Sequence, residues 1–82
     1  MKWGLICNSK TTRSFSFAQD VYEFLNEHGE IFPEESFAKE AEVKGYSLEE
    51  IDKKSDIVVT IGGDGTILRA FKGIEKPVFA IN

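Results

Sequence analysis

Apolar positions along this chain fall into two patterns. One is the short, nearly unbroken run: Trp3-Gly4-Leu5-Ile6-Cys7, Ile57-Val58-Val59-Thr60-Ile61, and Pro77-Val78-Phe79-Ala80-Ile81. Strands buried on both faces read this way, and the proline at the start of the third run sits where a missing N–H is tolerated. The other pattern is helical. Phe17, Val21, Phe24 and Leu25 recur at i, i+4, i+7 and i+8 until Gly29, and Ser16-Phe17-Ala18-Gln19 has the spacing of a capping box that would open such a helix. Between these elements Glu30-Ile31-Phe32-Pro33 is a short extended candidate, and the segment from Phe37 to Val43 places Phe37, Ala38 and Ala41 at helical spacing. Ser47-Leu48-Glu49-Glu50 is a second capping-box match, predicting a single helical turn that ends near Lys54.

The order is βα(β)αβαβ. Apolar strands alternating with one-sided helices predict an α/β fold: a three-layer Rossmann- or flavodoxin-like domain with a mostly parallel sheet of about four strands and right-handed crossovers. The predicted core comprises Leu5, Ile6, Phe17, Val21, Phe24, Leu25, Val58, Val59, Ile61, Leu68, Val78 and Phe79, and the phenylalanines read as core rather than as stacking platforms. In an open sheet of this kind ligands sit beyond the carboxyl ends of the strands, so the loop from Asn8 to Arg13, the loop from Gly62 to Thr66, and Asn82 are expected on one rim.

The rim carries the chemistry. Gly62-Gly63-Asp64-Gly65-Thr66 follows the second apolar run directly, and Ile67-Leu68-Arg69-Ala70-Phe71 follows the loop. Thr66 is suited to cap a helix with Ile67, Leu68 and Phe71 on one face, Lys72 in its last turn and Gly73 at its end. Glycines permit positive φ and close backbone approach, and they aim unpaired N–H groups at an anion near the positive end of the helix. Asp64 is out of place in a pure phosphate cradle. A carboxylate there repels phosphate, so its presence points to polarising a hydroxyl or to holding a metal that bridges phosphate oxygens. Gly-Gly-Asp-Gly is also good turn sequence, but a plain hairpin would be followed by an alternating strand rather than by helical spacing.

Composition narrows the partners. At 82 residues the chain has room for one small domain or a piece of one, and 41% hydrophobic with 29% charged residues is ordinary globular usage. A net charge of −4, with no basic run beyond Lys53-Lys54, argues against nucleic acid or an anionic membrane surface as partner. Lys53-Lys54, after Glu49-Glu50, reads as a solvated face. Cys7 has no second cysteine to pair with and reads as a buried strand residue, and His28 reads as a helix C-terminal residue meeting the dipole. No stretch approaches the ~20 apolar residues of a membrane span, and the start lacks a signal-peptide core. A cytoplasmic domain with a small-molecule ligand is expected.

The run from Asp56 through Gly62-Gly63-Asp64-Gly65-Thr66 to Ala70, and the strand ending Ile81-Asn82, resemble the amino-terminal domain of NAD kinases. Phosphofructokinases and the diacylglycerol and sphingosine kinases share the Gly-Gly-Asp-Gly loop, but the hydrophobic pair after the threonine, Arg69-Ala70 and the Ile-Asn strand end look more like NAD kinase. The opening strand through Asn8 and its helix also fit that domain, more loosely. The resemblance implies transfer of a phosphoryl group from ATP or polyphosphate to the adenosine-ribose 2′-hydroxyl of NAD, giving NADP, assisted by Mg²⁺ or another divalent cation. It implies that Asp64 engages the attacking hydroxyl and that Gly62, Gly63, Gly65 and Thr66 shape the phosphate loop, with Arg69 and Asn8 as further nucleotide-binding candidates. NAD kinases continue into a β-rich domain with most of the NAD contacts, so residues 1–82 are expected to be the amino-terminal part of a longer protein, inactive alone and a homo-oligomer when whole. A lipid kinase of the diacylglycerol type shares the loop, but there asparagine and glutamate are expected soon after Gly65-Thr66, where this chain has Ile67-Leu68-Arg69. A non-catalytic flavodoxin-like nucleotide-binding module is the alternative from another class.

Overall fold

In a computed structural model, describing residues 1–8 and 12–81, the chain forms β1 (Lys2–Cys7), α1 (Thr12–Asn26), β2 (Glu30–Pro33), α2 (Glu35–Ala41), α3 (Leu48–Lys54), β3 (Ile57–Ile61), α4 (Asp64–Gly73) and β4 (Val78–Ile81). The four strands make one sheet in the order β2-β1-β3-β4, and every pairing is parallel. Register follows from the two-residue period of a strand. Leu5 lies beside Val59 and Ile6 beside Thr60, so alternate residues of β1 and β3 point to opposite faces.

Those faces build two cores. On one, Leu5, Cys7, Val59 and Ile61 pack against Ala18 and Leu25 of α1 and Phe37 of α2. On the other, Ile6 and Val58 pack against Ile51 of α3, Ala70 of α4 and Ile74. The expected three-layer arrangement is present, with both faces of the parallel sheet covered. Close approach on the second face requires a glycine: a Cβ at Gly4 would lie 2.6 Å from Ile51 Cγ2 and 3.0 Å from Ser55 Oγ.

Several expected details differ. Phe17, Phe24, Leu68 and Phe79 are exposed by 47 to 60%, not buried, and Val21 and Val78 are half-buried. Only part of each amphipathic face has a layer to cover it. α1 begins at Thr12, so Ser16 lies inside the helix instead of capping it, whereas Ser47 does cap α3 with the full reciprocal box to Glu50. α4 begins two residues before Thr66, with Gly63 as N-cap, and it buries Thr66 and Ala70 where Ile67, Leu68 and Phe71 were expected to form the inner face. His28 does meet a helix end, its Nδ1 lying 2.8 Å from the Phe24 carbonyl oxygen. Residues 9–11 and Asn82, part of the expected rim, lie outside the described residues.

Candidate functional site

The chain runs from β1 to β2 on one side and then crosses back to β3 and β4 on the other. The reversal puts a topological switch point between the carboxyl ends of β1 and β3, where open α/β sheets leave a crevice. Asn8 continues β1 there, its N–H donating to Ile61 O at 3.2 Å, and Gly62 continues β3, donating to Ile81 O at 3.2 Å. Above these ends opens a cleft of about 830 Å³. Cys7 and Asn8 lie at its floor, Gly63, Gly65, Thr66 and Arg69 on the α4 side, and Glu34, Glu35, Ser36 and Glu40 on the α2 side.

The three loop glycines differ in what they do for the fold. Gly62 has φ +145°, and a Cβ on it would stand 2.7 Å from Thr66 Oγ1. Glycine is needed there for the turn itself. Gly63 and Gly65 have no positive φ, and a Cβ on either would meet nothing within 4 Å. Gly65 lies in the first turn of α4, where alanine is the better helix former, so neither packing nor backbone geometry accounts for it. An unfilled approach to bare backbone remains. The Gly63 carbonyl accepts the N–H groups of Thr66 at 3.1 Å and Ile67 at 3.3 Å, while helix geometry leaves the N–H groups of Asp64 and Gly65 with no intrahelical acceptor. These donors point out of the positive end of a ten-residue helix.

Asp64 is the first residue of α4 and is exposed. Its neighbours Gly63 and Gly65 line the cleft, so Asp64 stands at the rim with its side chain open to solvent. Thr66, buried at 5%, tucks its hydroxyl beneath Gly62 and shapes the turn from below. Asn8 is exposed on the β1 side of the same rim.

Arg69 is not a free cation. Its Nη1 donates to Glu34 Oε2 and its Nη2 to Glu34 Oε1 at 2.9 Å, a bidentate pair between residues 35 positions apart. The hydrogen bonds from Glu34 hold the guanidinium pKa above its usual value, against a smaller opposing effect of burial. Glu34 escaped the sequence reading because nothing local distinguishes it from Glu35 beside it; only its place directly after the apolar end of β2 hinted at burial. Cys7, 1% exposed, has its thiol pushed up to about 11, chiefly by burial and then by the Glu34 charge. A protonated thiol is no nucleophile.

This geometry can orient a hydroxyl beside a set of phosphate donors. A family model described as the ATP-NAD kinase N-terminal domain matches residues 3–82. The chain belongs to the ATP-NAD kinase family. It is 34% identical over 85 residues to a protein named NAD kinase from Chlorobium phaeobacteroides, 32% over 82 residues to one from Thermoplasma acidophilum, and 35% over 89 residues to one from Thermococcus kodakarensis. Each comparison takes in all of this chain and 30%, 29% and 31% of the relative, respectively. The chain thus spans about 30% of the length of these curated relatives. Membership of the ATP-NAD kinase family displaces the lipid-kinase reading, as the segment after Thr66 already suggested. Among the described residues no helix is long and apolar enough to cross a membrane.

Proposed function

We propose that residues 1–82 form the amino-terminal α/β domain of an NAD kinase, whose remaining, β-rich part supplies most of the NAD contacts. The observation that carries the reading is Asp64: an exposed carboxylate at the first position of α4, beside bare glycine backbone and next to the switch point. In this reading the 2′-hydroxyl oxygen of the adenosine ribose attacks the terminal phosphorus of ATP or polyphosphate. The new O–P bond forms as the bond to the bridging oxygen breaks, the shortened donor leaves, and the hydroxyl proton passes to the Asp64 carboxylate. The N–H groups of Asp64 and Gly65 hold transferring phosphate oxygens, and Asn8 and Arg69 bound the nucleotide from either side of the cleft.

The lining also bears on a divalent cation. Among the described residues of the cleft, Glu34, Glu35 and Glu40 outnumber the single cation Arg69, so a bare polyphosphate meets net repulsion. The described residues contain no cluster of three or more histidine, cysteine or carboxylate side chains able to hold a metal alone. Both facts suit Mg²⁺ or a similar ion that would be held mainly by the donor phosphates. When bound, such an ion neutralises phosphate charge.

The test is to incubate the full-length protein with NAD, a divalent cation and either ATP or polyphosphate, and to assay NADP with an NADP-specific dehydrogenase. NADP formation with at least one donor is expected, and none from residues 1–82 alone. Absence of NADP with both donors, in a protein that is folded, would contradict the proposal.

A further inference from the structure

Among the described residues Glu34 is the only charged side chain that is buried, at 8% exposure. A carboxylate at that depth is costly unless it is paired, and here it is paired with Arg69 in a fork-to-fork arrangement. Its backbone is equally fixed. The Glu34 N–H donates to Leu5 O at 2.9 Å, and its carbonyl accepts the Ala38 N–H at 2.9 Å, so the carboxylate stands on the end of β2 and the start of α2. Arg69 comes from the opposite wall, five residues after Asp64 on α4. Its side chain is 44% exposed and lines the cleft together with Gly65 and Thr66.

A guanidinium carries five N–H donors in one plane. Glu34 takes one from each terminal nitrogen. The rest stay available in an orientation that Glu34 dictates, on a group half-open to the cleft. The geometry points to Glu34 as a positioning residue, which holds the Arg69 guanidinium in place to donate its remaining N–H groups to the phosphates of the phosphoryl donor. This role rests on the proposed phosphoryl transfer, which requires donor phosphates in this cleft. A pair that merely braced the fold would have no bearing on donor affinity.

The test uses the full-length protein with magnesium tripolyphosphate as a binding probe, read by titration calorimetry, alongside KM and kcat for ATP and NAD. Glu34→Gln can keep only one acceptor toward Arg69, and it should weaken tripolyphosphate binding and raise the KM for ATP by about tenfold, while kcat and the KM for NAD move by less than about twofold. In an Arg69→Met background the same substitution should add nothing further. Should Glu34→Gln fail to fold, Glu34→Asp keeps the charge and shortens the reach; it should raise the KM for ATP more than that for NAD. The inference is overturned if Glu34→Gln lowers the melting temperature but leaves tripolyphosphate affinity and donor KM at wild-type values, if it weakens binding equally without Arg69, or if Glu34→Asp changes both KM values alike. Wild-type protein that binds tripolyphosphate but forms no NADP would contradict the proposed reaction and leave the binding comparison intact. Wild-type protein that does not bind tripolyphosphate would overturn the role of Glu34 itself.

Discussion

Within the loop, neighbouring glycines are held for different reasons, and substitution separates them. Gly62→Ala forces a Cβ into a positive-φ position and against Thr66, so it should cost roughly 1–3 kcal/mol of stability and displace the turn. Gly65→Ala meets no protein atom, and it should leave stability unchanged or raise it by up to about 1 kcal/mol, while tripolyphosphate affinity of the full-length protein falls. Melting temperatures beside calorimetric titrations check both. A loss of stability in Gly65→Ala comparable to that in Gly62→Ala would mean that the fold, not a ligand, requires the glycine. Cys7 offers a pH test with a definite sign. Its thiol titrates near 9.0 when unperturbed and at about 11 in the folded chain, so the native state keeps a proton that the unfolded state has lost. The associated stability is complete below pH 9 and declines as pH rises toward 11. Chemical denaturation across that range should show the decline, and Cys7→Ala should flatten it. A wild-type slope no steeper than that of Cys7→Ala would contradict the assignment.

Among the elements, the strands were legible from sequence because burial on both faces leaves an unbroken apolar run, as in β1 and β3. Helix boundaries were less so. The Ser-x-x-Glu/Gln pattern occurs at Ser47, where it caps α3 with Glu50 N–H to Ser47 Oγ at 3.2 Å and Ser47 N–H to Glu50 Oε1 at 3.0 Å. It occurs equally at Ser16, in the interior of α1, because a short polar pattern is not confined to helix starts. The inner face of α4 differs from expectation for a related reason. Large residues mark a hydrophobic stripe, but close packing on a sheet selects small ones, here Thr66 and Ala70. The turn from β3 into α4 was readable because glycines directly after an apolar strand are a local signal, whereas the Glu34–Arg69 pair exists only in three dimensions. β3, between β1 and β4, carries one more consequence. Among the described residues the buried Thr60 hydroxyl has no hydrogen-bond partner, so Thr60→Val, which keeps the β-branch, should stabilise the domain by about 1 kcal/mol. Thermal unfolding reads this directly, and a lowered melting temperature would show that the hydroxyl has a partner after all.

For the molecule as a whole, the sheet and its two helical layers account for the central core but not for the outer aromatic residues. Phe24 and Phe79 stand 60% and 59% exposed around an apolar hollow of about 380 Å³ that includes Trp3, Val59 and Ile81, beside the edge strand β4. Periodicity reveals that such residues share a face; it does not reveal whether that face is covered within the same 82 residues. Membership of the ATP-NAD kinase family was legible too, through the loop and the strands that flank it. The proposed role of Asp64, acting on the attacking hydroxyl while contributing little to the fold, is tested by NADP formation in full-length Asp64→Asn beside its melting temperature. Turnover should fall by roughly 10²-fold or more with the melting temperature nearly unchanged, since the side chain is exposed. Near-normal turnover, or a loss that tracks unfolding, would contradict that role.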